Sequence, residues 1–453
     1  MKTILPAKEH ITQLWGRPSP KDAVYRLMKY LLRFEVEDGL LLQNTVTGQF
    51  IHLTHEEADL LLNLPCKPTE AMRELIADHF LVPDNFNEYS SVKQLRRIYQ
   101  SRDTGDSINH YVILPTTFCN ARCFYCYESD YPHVHMTKET ADKLIEYIAE
   151  HRKGKNVVLS WFGGEPLVGI QRIDQISQGL KDRGILYKAS MISNGYLFDE
   201  ETVAKAAELW KLERIQITLD GPEEVYNRIK AYTNAKDNPY HRVLRNAELL
   251  ADKGIRVNFR LNIGKHNVED IRILIEELGK RFSEKREISA YISMLYDSKG
   301  FEPVKRSLED TIELLKIQDE FEKRLKELNL YYESWKVPSL GFRQCIADNP
   351  HAVVIQPDGG LCRCEHENVL ESYGNLDEGI LDTKALLKWN DNIERSNHCD
   401  ECPIYPFCYV LRHCINADKE CVEEFTKRYF STQEEHLRAV YQKSLEEKKN
   451  EKV

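Results

Sequence analysis

Three cysteines crowd into one short run, Phe118-Cys119-Asn120-Ala121-Arg122-Cys123-Phe124-Tyr125-Cys126. Thiolates are soft ligands suited to iron–sulfur chemistry. A C-x3-C-x2-C loop can hold three irons of a [4Fe–4S] cluster and leave the fourth open to a small molecule. Zinc is the competing reading, but zinc motifs usually pair two C-x2-C knuckles at longer range. Downstream, Gly163-Gly164-Glu165-Pro166 offers glycines that let backbone approach a ligand closely. Its Glu165 can accept from an ammonium group. Ser193-Asn194-Gly195 adds polar groups, as does Asp220 in Gln216-Ile217-Thr218-Leu219-Asp220-Gly221-Pro222, and Arg260 and Asn262 follow.

The chain holds twelve cysteines. Cys66, after Leu61-Leu62-Asn63-Leu64-Pro65, reads as a plain core cysteine. The other eight fall between Cys345 and Cys421. With Cys66 set aside, three plus four plus four suits one three-cysteine cluster and two clusters ligated fully by protein. In a large cytosolic chain such a count points to metal rather than disulfides.

These residues need a scaffold. From residue 110 the sequence alternates strand and helix. Expected strands are 111–115, 156–162, 187–192, 214–219, 256–261 and 287–294, with helical segments of 10–15 residues between most of them. That pattern predicts a parallel α/β sheet, a partial (β/α)6 TIM-like barrel with its chemistry at the C-terminal strand ends. Ahead of it, residues 32–37, 40–44 and 49–53 read as strands joined by turns at Asp38-Gly39 and Thr47-Gly48. Thr54 with Glu57 forms a capping-box pattern, and helices are expected near 68–80 and 88–102. The expected domains are 1–105, a barrel core over 106–304, a bridging helix over 305–337, a cysteine-rich domain over 338–425, and a helical tail over 426–453.

The cysteine loop and Gly163-Gly164-Glu165-Pro166 resemble the radical S-adenosylmethionine (SAM) enzymes. The resemblance implies that Cys119, Cys123 and Cys126 hold the SAM-binding cluster. Tyr125 would lie near the adenine, and Gly163, Gly164 and Glu165 would meet the methionine amino group. Ser193, Asn194 and Asp220 would complete the SAM pocket. Cys345-x13-Gly359-x4-Cys364 and Cys399-x2-Cys402-x5-Cys408 resemble the SPASM domain, which holds two auxiliary [4Fe–4S] clusters. Cys414 departs from that pattern, separated from Cys408 by five residues rather than three. The resemblance gives Cys399, Cys402, Cys408 and Cys421 to one cluster and Cys345, Cys364 and Cys414 to the other. Cys362 serves as the fourth ligand, or that iron stays open. Glu365 follows Cys364 as an aspartate follows the matching cysteine in anaerobic sulfatase-maturing enzymes, where it is the proposed catalytic base. The N-terminal strands and helices resemble the winged-helix domain of peptide-modifying systems.

The implied function is that of a radical SAM/SPASM maturase of ribosomally made peptides. It would cleave SAM reductively to a 5′-deoxyadenosyl radical, abstract hydrogen from a precursor peptide, and leave a thioether or carbon–carbon crosslink. An external donor of flavodoxin or ferredoxin type would supply electrons. Formylglycine formation is the second enzyme reading, and an iron–sulfur electron carrier the non-enzyme one. The net charge of −10 over 453 residues argues against a nucleic-acid partner. No run of about 18 apolar residues suggests a membrane span, and the N-terminus lacks the apolar core of a signal peptide. A cytoplasmic protein is expected.

Overall fold

The computed structural model describes residues 1–102, 107–152, 154, 156–295, 307–332, 335–342, 345–388, 399–408 and 423–450. The chain forms two compact units. One joins residues 105–333 to 345–391, and the other joins 1–104, 334–344 and 392–453. The cysteine-rich stretch is therefore divided between them.

The larger unit is built on strands β1 (His110–Ile113), β2 (Asn156–Trp161), β3 (Leu186–Ser193), β4 (Leu212–Leu219), β5 (Arg256–Ile263) and β6 (Ile288–Met294). They lie in the order β6-β5-β4-β3-β2-β1, and every pair is parallel. The sheet then continues through β7 (Ala352–Ile355), parallel to β1. Three short antiparallel strands follow, β8 (Gly360–Cys362), β9 (Gly374–Asn375) and β10 (Gly379–Ile380). The six expected strands are present to within a few residues. β7 to β10 went unforeseen, because four-residue and shorter strands among cysteines and glycines carry little period-two signal.

Alternation along the strands gives the two sheet faces different characters. Leu159, Trp161, Met191, Ile217, Phe259 and Leu261 are buried in the core with the crossover helices. The opposite face is polar and only half-buried, carrying Ser160, Ser190, Gln216, Asn258, Arg260 and Tyr291. Hydrogen bonds run across it from His110 to Ser160 (2.9 Å), Ser160 to Ser190 (3.0 Å) and Tyr291 to Gln216 (2.8 Å). A closed eight-stranded barrel fills its interior with branched apolar side chains. An open one can keep a polar, hydrated face for a ligand.

The crossover helices follow the strands. They are α1 (Lys138–His151), α2 (Ile170–Asp182), α3 (Glu200–Glu208), α4 (Glu223–Lys230), α5 (Pro239–Asp252), α6 (Val268–Phe282) and α7 (Leu308–Glu327). Thr137, Asp199 and Asn238 cap α1, α3 and α5 by accepting from backbone N–H groups. α7 occupies the segment expected to bridge domains, yet Leu314, Phe321 and Leu325 are buried in the barrel core. Its apolar stripe is what makes it the barrel's own last helix.

In the smaller unit, an antiparallel sheet has the order Lys2–Leu5, Phe50–Leu53, Gly39–Asn44, Leu31–Val36. The Thr54–Glu57 capping box forms at the helix His55–Asp59. The helix foreseen near 68–80 is broken into Glu70–Met72 and Arg73–Ala77, and the foreseen helix Glu88–Arg102 is present. Cys66 exchanges two backbone hydrogen bonds with Tyr25 and packs against this unit's core. Among the described residues, no helix is long and apolar enough to cross a membrane.

Candidate functional site

The cysteine loop leaves the C-terminal end of β1, where backbone amides of an open parallel sheet end and a ligand can enter. Three neighbouring loops hold it. The first follows β2. Gly164 N–H donates to Thr116 O (3.2 Å) and Glu165 N–H to Phe118 O (3.0 Å), so this loop runs against the base of the cysteine loop. A Cβ on Gly163, whose φ is +111°, would lie 2.2 Å from Thr116 O, and one on Gly164 2.5 Å from Thr117 O. The glycines are required by this backbone-to-backbone approach.

The second holder follows β3. Glu165 is fully buried. Its carboxylate accepts from Leu167 N–H (3.1 Å), Ser193 Oγ (2.9 Å) and Asn194 N–H (2.8 Å), tying the loops after β2 and β3 together. Burial pushes its pKa up to about 7, against these hydrogen bonds. Asn194 Nδ2 donates to Asn120 Oδ1 (2.7 Å) and lies 3.9 Å from Cys119 Sγ. Ser193 and Asn194 thus act through Glu165 and Asn120 on the cysteine loop.

The third holder comes from β4, α4 and β5. Asp220 is 1% exposed and Lys230 is 3% exposed, with Nζ 3.0 Å from Oδ2. Tyr125 donates its hydroxyl to Asp220 (2.8 and 2.9 Å), and Asn262 Nδ2 donates to Oδ1 (3.0 Å). Asn267 Nδ2 donates to the Asp220 carbonyl (3.0 Å). Lys230 Nζ also reaches the Tyr125 hydroxyl (3.1 Å), and its carbonyl accepts from Arg122 N–H (2.8 Å). Burial is the largest single influence on Lys230 and lowers its pKa, but Asp220, Cys123, Tyr125 and Tyr226 together outweigh it and the ammonium is held well above its ordinary value. Lys230, Asn120 and Asn267 were not singled out from the sequence. Lys230 sits at the end of α4, and only the helix geometry brings it back to Asp220.

The thiols are poised for a soft metal. Burial, then the nearby Glu165 charge, pushes the Cys119 thiol up to about 12. Burial also raises Cys123. Free thiolates are costly there, so the thiolate form needs a cationic partner. Among the described residues, no three His, Cys, Asp or Glu side chains converge as ligands of a single metal ion would. A cubane asks for something different, one thiolate on each of three irons. The donor set and its dry surroundings fit such a cluster.

On the larger unit's cysteine-rich segment, Cys364 is buried and its thiol is raised by burial, then by Glu365, with Cys345 also contributing. Cys362 lies on β8 in an apolar cluster with Val112, Leu114 and Val354. Its sulfur is 3.5 Å from Ser372 Oγ and 3.7 Å from Gln356 Nε2. Cys399, Cys402 and Cys408 belong to the smaller unit and pack against its core with Tyr25, Met28 and Tyr30. Cys414 and Cys421 lie outside the described residues.

Among the described residues, Glu365 Oε2 is buried without a hydrogen-bond partner, as are Glu128 Oε1 and the Tyr127 hydroxyl. Tyr127 stacks on His366 with ring centroids 4.0 Å apart, and Tyr131 donates to the His366 carbonyl (2.6 Å). Burial pushes Glu128 up to about 8. Unpaired buried acceptors are costly and mark a place where a ligand can supply donors. Glu128 and Tyr127 were legible only as neighbours of Cys126.

Residues 113–278 match the sequence profile of the Radical SAM superfamily. The chain is 26% identical over 197 residues to Fe-coproporphyrin III synthase of Methanosarcina barkeri, covering 43% of this chain and 46% of that protein. It is 25% identical over 307 residues to GTP 3′,8-cyclase of Clostridium botulinum, covering 64% and 90%. The chain spans about half the length of the archaeal relatives it matches. Among solved structures, anSMEcpe with bound AdoMet and a Kp18Cys peptide superposes with a TM-score of 0.58 at 16% identity, covering 73% of this chain and 99% of that one. Streptococcus suis SuiB bound to S-adenosylmethionine superposes with a TM-score of 0.52 at 15% identity, covering 85% and 95%. These two likenesses concern the fold.

Proposed function

The chain carries a radical SAM domain, the domain of an enzyme superfamily, and from that premise we propose a radical SAM peptide maturase. When bound, the cluster and SAM supply a 5′-deoxyadenosyl radical able to abstract hydrogen from a substrate. The observation that carries the reading is the knitting of three strand-end loops around Cys119, Cys123 and Cys126 by Glu165, Asn194 and the Asp220–Lys230 pair.

The roles of the chain's own residues follow. Cys119, Cys123 and Cys126 hold the cluster. Gly163, Gly164 and Glu165 fix the wall of the SAM pocket, with Ser193 and Asn194 locking that wall to the cysteine loop. Tyr125, pinned by Asp220, offers a rigid aromatic ring to the adenine. Lys230, paired with Asp220 and bonded to the Tyr125 hydroxyl, holds both behind the cysteine loop. The polar sheet face takes the substrate, and Glu365 serves as the base that accepts a proton as the product forms. Cys345, Cys364 and Cys414, with Cys362 or an open iron, hold one auxiliary cluster. Cys399, Cys402, Cys408 and Cys421 hold the other. An external flavodoxin- or ferredoxin-type protein supplies electrons, in the cytoplasm.

A peptide substrate is favoured by two fold neighbours. Structures of anSMEcpe contain a bound peptide and one of SuiB contains the precursor peptide SuiA. The N-terminal strands and helices would then serve as a winged-helix-like recognition element, with a leader segment adding a strand to a sheet edge. A thioether or carbon–carbon crosslink is the expected product. Formylglycine formation is the second reading, favoured by Glu365 beside Cys364. The test is anaerobic incubation of the reconstituted protein with SAM, a reductant and a candidate precursor peptide sought in the neighbouring reading frames. Mass spectrometry should find SAM-dependent loss of two hydrogens within the peptide. A peptide unchanged while SAM is cleaved would refute the peptide reading.

A further inference from the structure

The smaller unit holds a buried cation with no carboxylate paired to it among the described residues. Arg96, on the helix Glu88–Arg102, is 4% exposed. Its Nη2 donates to the carbonyls of Tyr405 (3.2 Å) and Pro406 (3.1 Å), and its Nε to the carbonyl of Gly341 (3.4 Å). The guanidinium carbon stands 4.8 Å from the centroid of the Tyr405 ring. Among the described residues, no carboxylate lies within ion-pair distance of Arg96. An arginine does not shed its proton inside a protein, and a buried charge without a counter-charge is strongly disfavoured. Carbonyl dipoles offset part of that cost. They do not neutralise the charge.

Tyr405 and Pro406 lie between Cys402 and Cys408. The same loop is fastened at two further points, by Tyr30 donating to the Cys399 carbonyl (3.3 Å) and Thr45 donating to the Pro403 carbonyl (2.7 Å). Cys399 is 3% exposed and lies in the apolar core of this unit, and the partly buried Cys402 and Cys408 pack against that core. Soft donors in dry surroundings, next to an uncompensated cation, fit an iron–sulfur cluster. A cluster with all-thiolate ligation carries net negative charge, and reduction adds one more.

We infer that Arg96 is the electrostatic partner of the auxiliary cluster held by the Cys399–Cys408 loop, a positioning residue that fixes the loop's backbone and raises the cluster's reduction potential. The inference rests on the reading that Cys399, Cys402 and Cys408 ligate such a cluster. It also makes the N-terminal segment part of the cluster's environment. A ligand that shifts the helix Glu88–Arg102 would then shift the cluster's potential.

The test uses the full-length chain with Cys119→Ala, Cys123→Ala and Cys126→Ala, reconstituted with iron and sulfide, so that only auxiliary clusters contribute. The signal lost on Cys402→Ala identifies the relevant cluster, and its midpoint potential is followed by EPR-monitored titration. Arg96→Met keeps the volume and removes the charge, so the reduced form should be disfavoured at least tenfold. That is a fall of about 59 mV for a one-electron couple. Arg96→Lys, which keeps the charge and loses the fork, should retain most of the parent potential. Should Arg96→Met fail to hold iron, retention of the cluster by Arg96→Lys would still support the charge. An unchanged potential in Arg96→Met, or equal effects of Met and Lys, would overturn the inference while leaving the cluster assignment intact. Absence of any Cys402-dependent cluster in the parent would overturn both.

Discussion

Removing the Lys230 ammonium is the sharpest perturbation of the network behind the cysteine loop. In Lys230→Met the long stem is kept and the charge is lost. Asp220, 1% exposed, would then be a buried carboxylate without its cation. Breaking a buried pair by removing one partner costs about 3–5 kcal/mol. Tyr125 and Asn262 still donate to Asp220, which places the expected loss near the lower end, about 3 kcal/mol. This is roughly two orders of magnitude in the unfolding constant. Urea unfolding of the iron-free chain, followed by fluorescence of Trp161 and Trp210 in the barrel core, reads it directly. Adding Asp220→Asn removes the stranded charge, so the double variant should be more stable than Lys230→Met alone, a coupling that a double-mutant cycle isolates. A Lys230→Met chain within about 0.5 kcal/mol of the parent, or losses from the two substitutions that simply add, would refute the reasoning.

Other expectations concern the loops and the base. Gly163→Ala puts a methyl 2.2 Å from Thr116 O at a φ of +111°. It should cost about 1–3 kcal/mol from overpacking and lower the iron retained at Cys119, Cys123 and Cys126, measured by iron assay after desalting. Glu165 takes up a proton at about 7 in the fold against 4.5 ordinarily. The native state therefore binds more protons between those values, so this group's contribution is complete below about 4.5 and is lost as pH rises through about 7. The change is about 3 kcal/mol, and unfolding titrations of Glu165→Gln beside the parent from pH 5 to 8 should show the gap; parallel curves would contradict it. Glu365→Gln should slow peptide product formation roughly a hundredfold or more while 5′-deoxyadenosine release continues, as read by chromatography of both products. Equal loss of both would place Glu365 in SAM cleavage instead.

Much of this architecture was legible in the sequence. The strands β1 to β6 announce themselves by alternating apolar runs, and the cysteine spacing by its rarity. What stayed hidden is how residues far apart in sequence meet. Glu165 reads as a ligand-facing acceptor, yet its full burial depends on how the loops after β2 and β3 fold against each other. Lys230 looks like an ordinary charge at a helix end until α4 returns it to Asp220. Arg96 sits in a charged, exposed-looking helical sequence, and only tertiary packing places its guanidinium against the 405–406 carbonyls. The division of the cysteine-rich stretch between two units is likewise a property of long-range packing. Short-range spacing does not encode it.

The central claim is that Cys119, Cys123 and Cys126 hold a cluster that opens SAM. It is tested most directly by measuring 5′-deoxyadenosine after anaerobic reduction of the reconstituted full-length chain with SAM. The account predicts release from the parent chain without added peptide and none from Cys123→Ala, which should still retain its auxiliary iron. An intact first cluster that leaves SAM uncleaved, or release that survives Cys123→Ala, would contradict it.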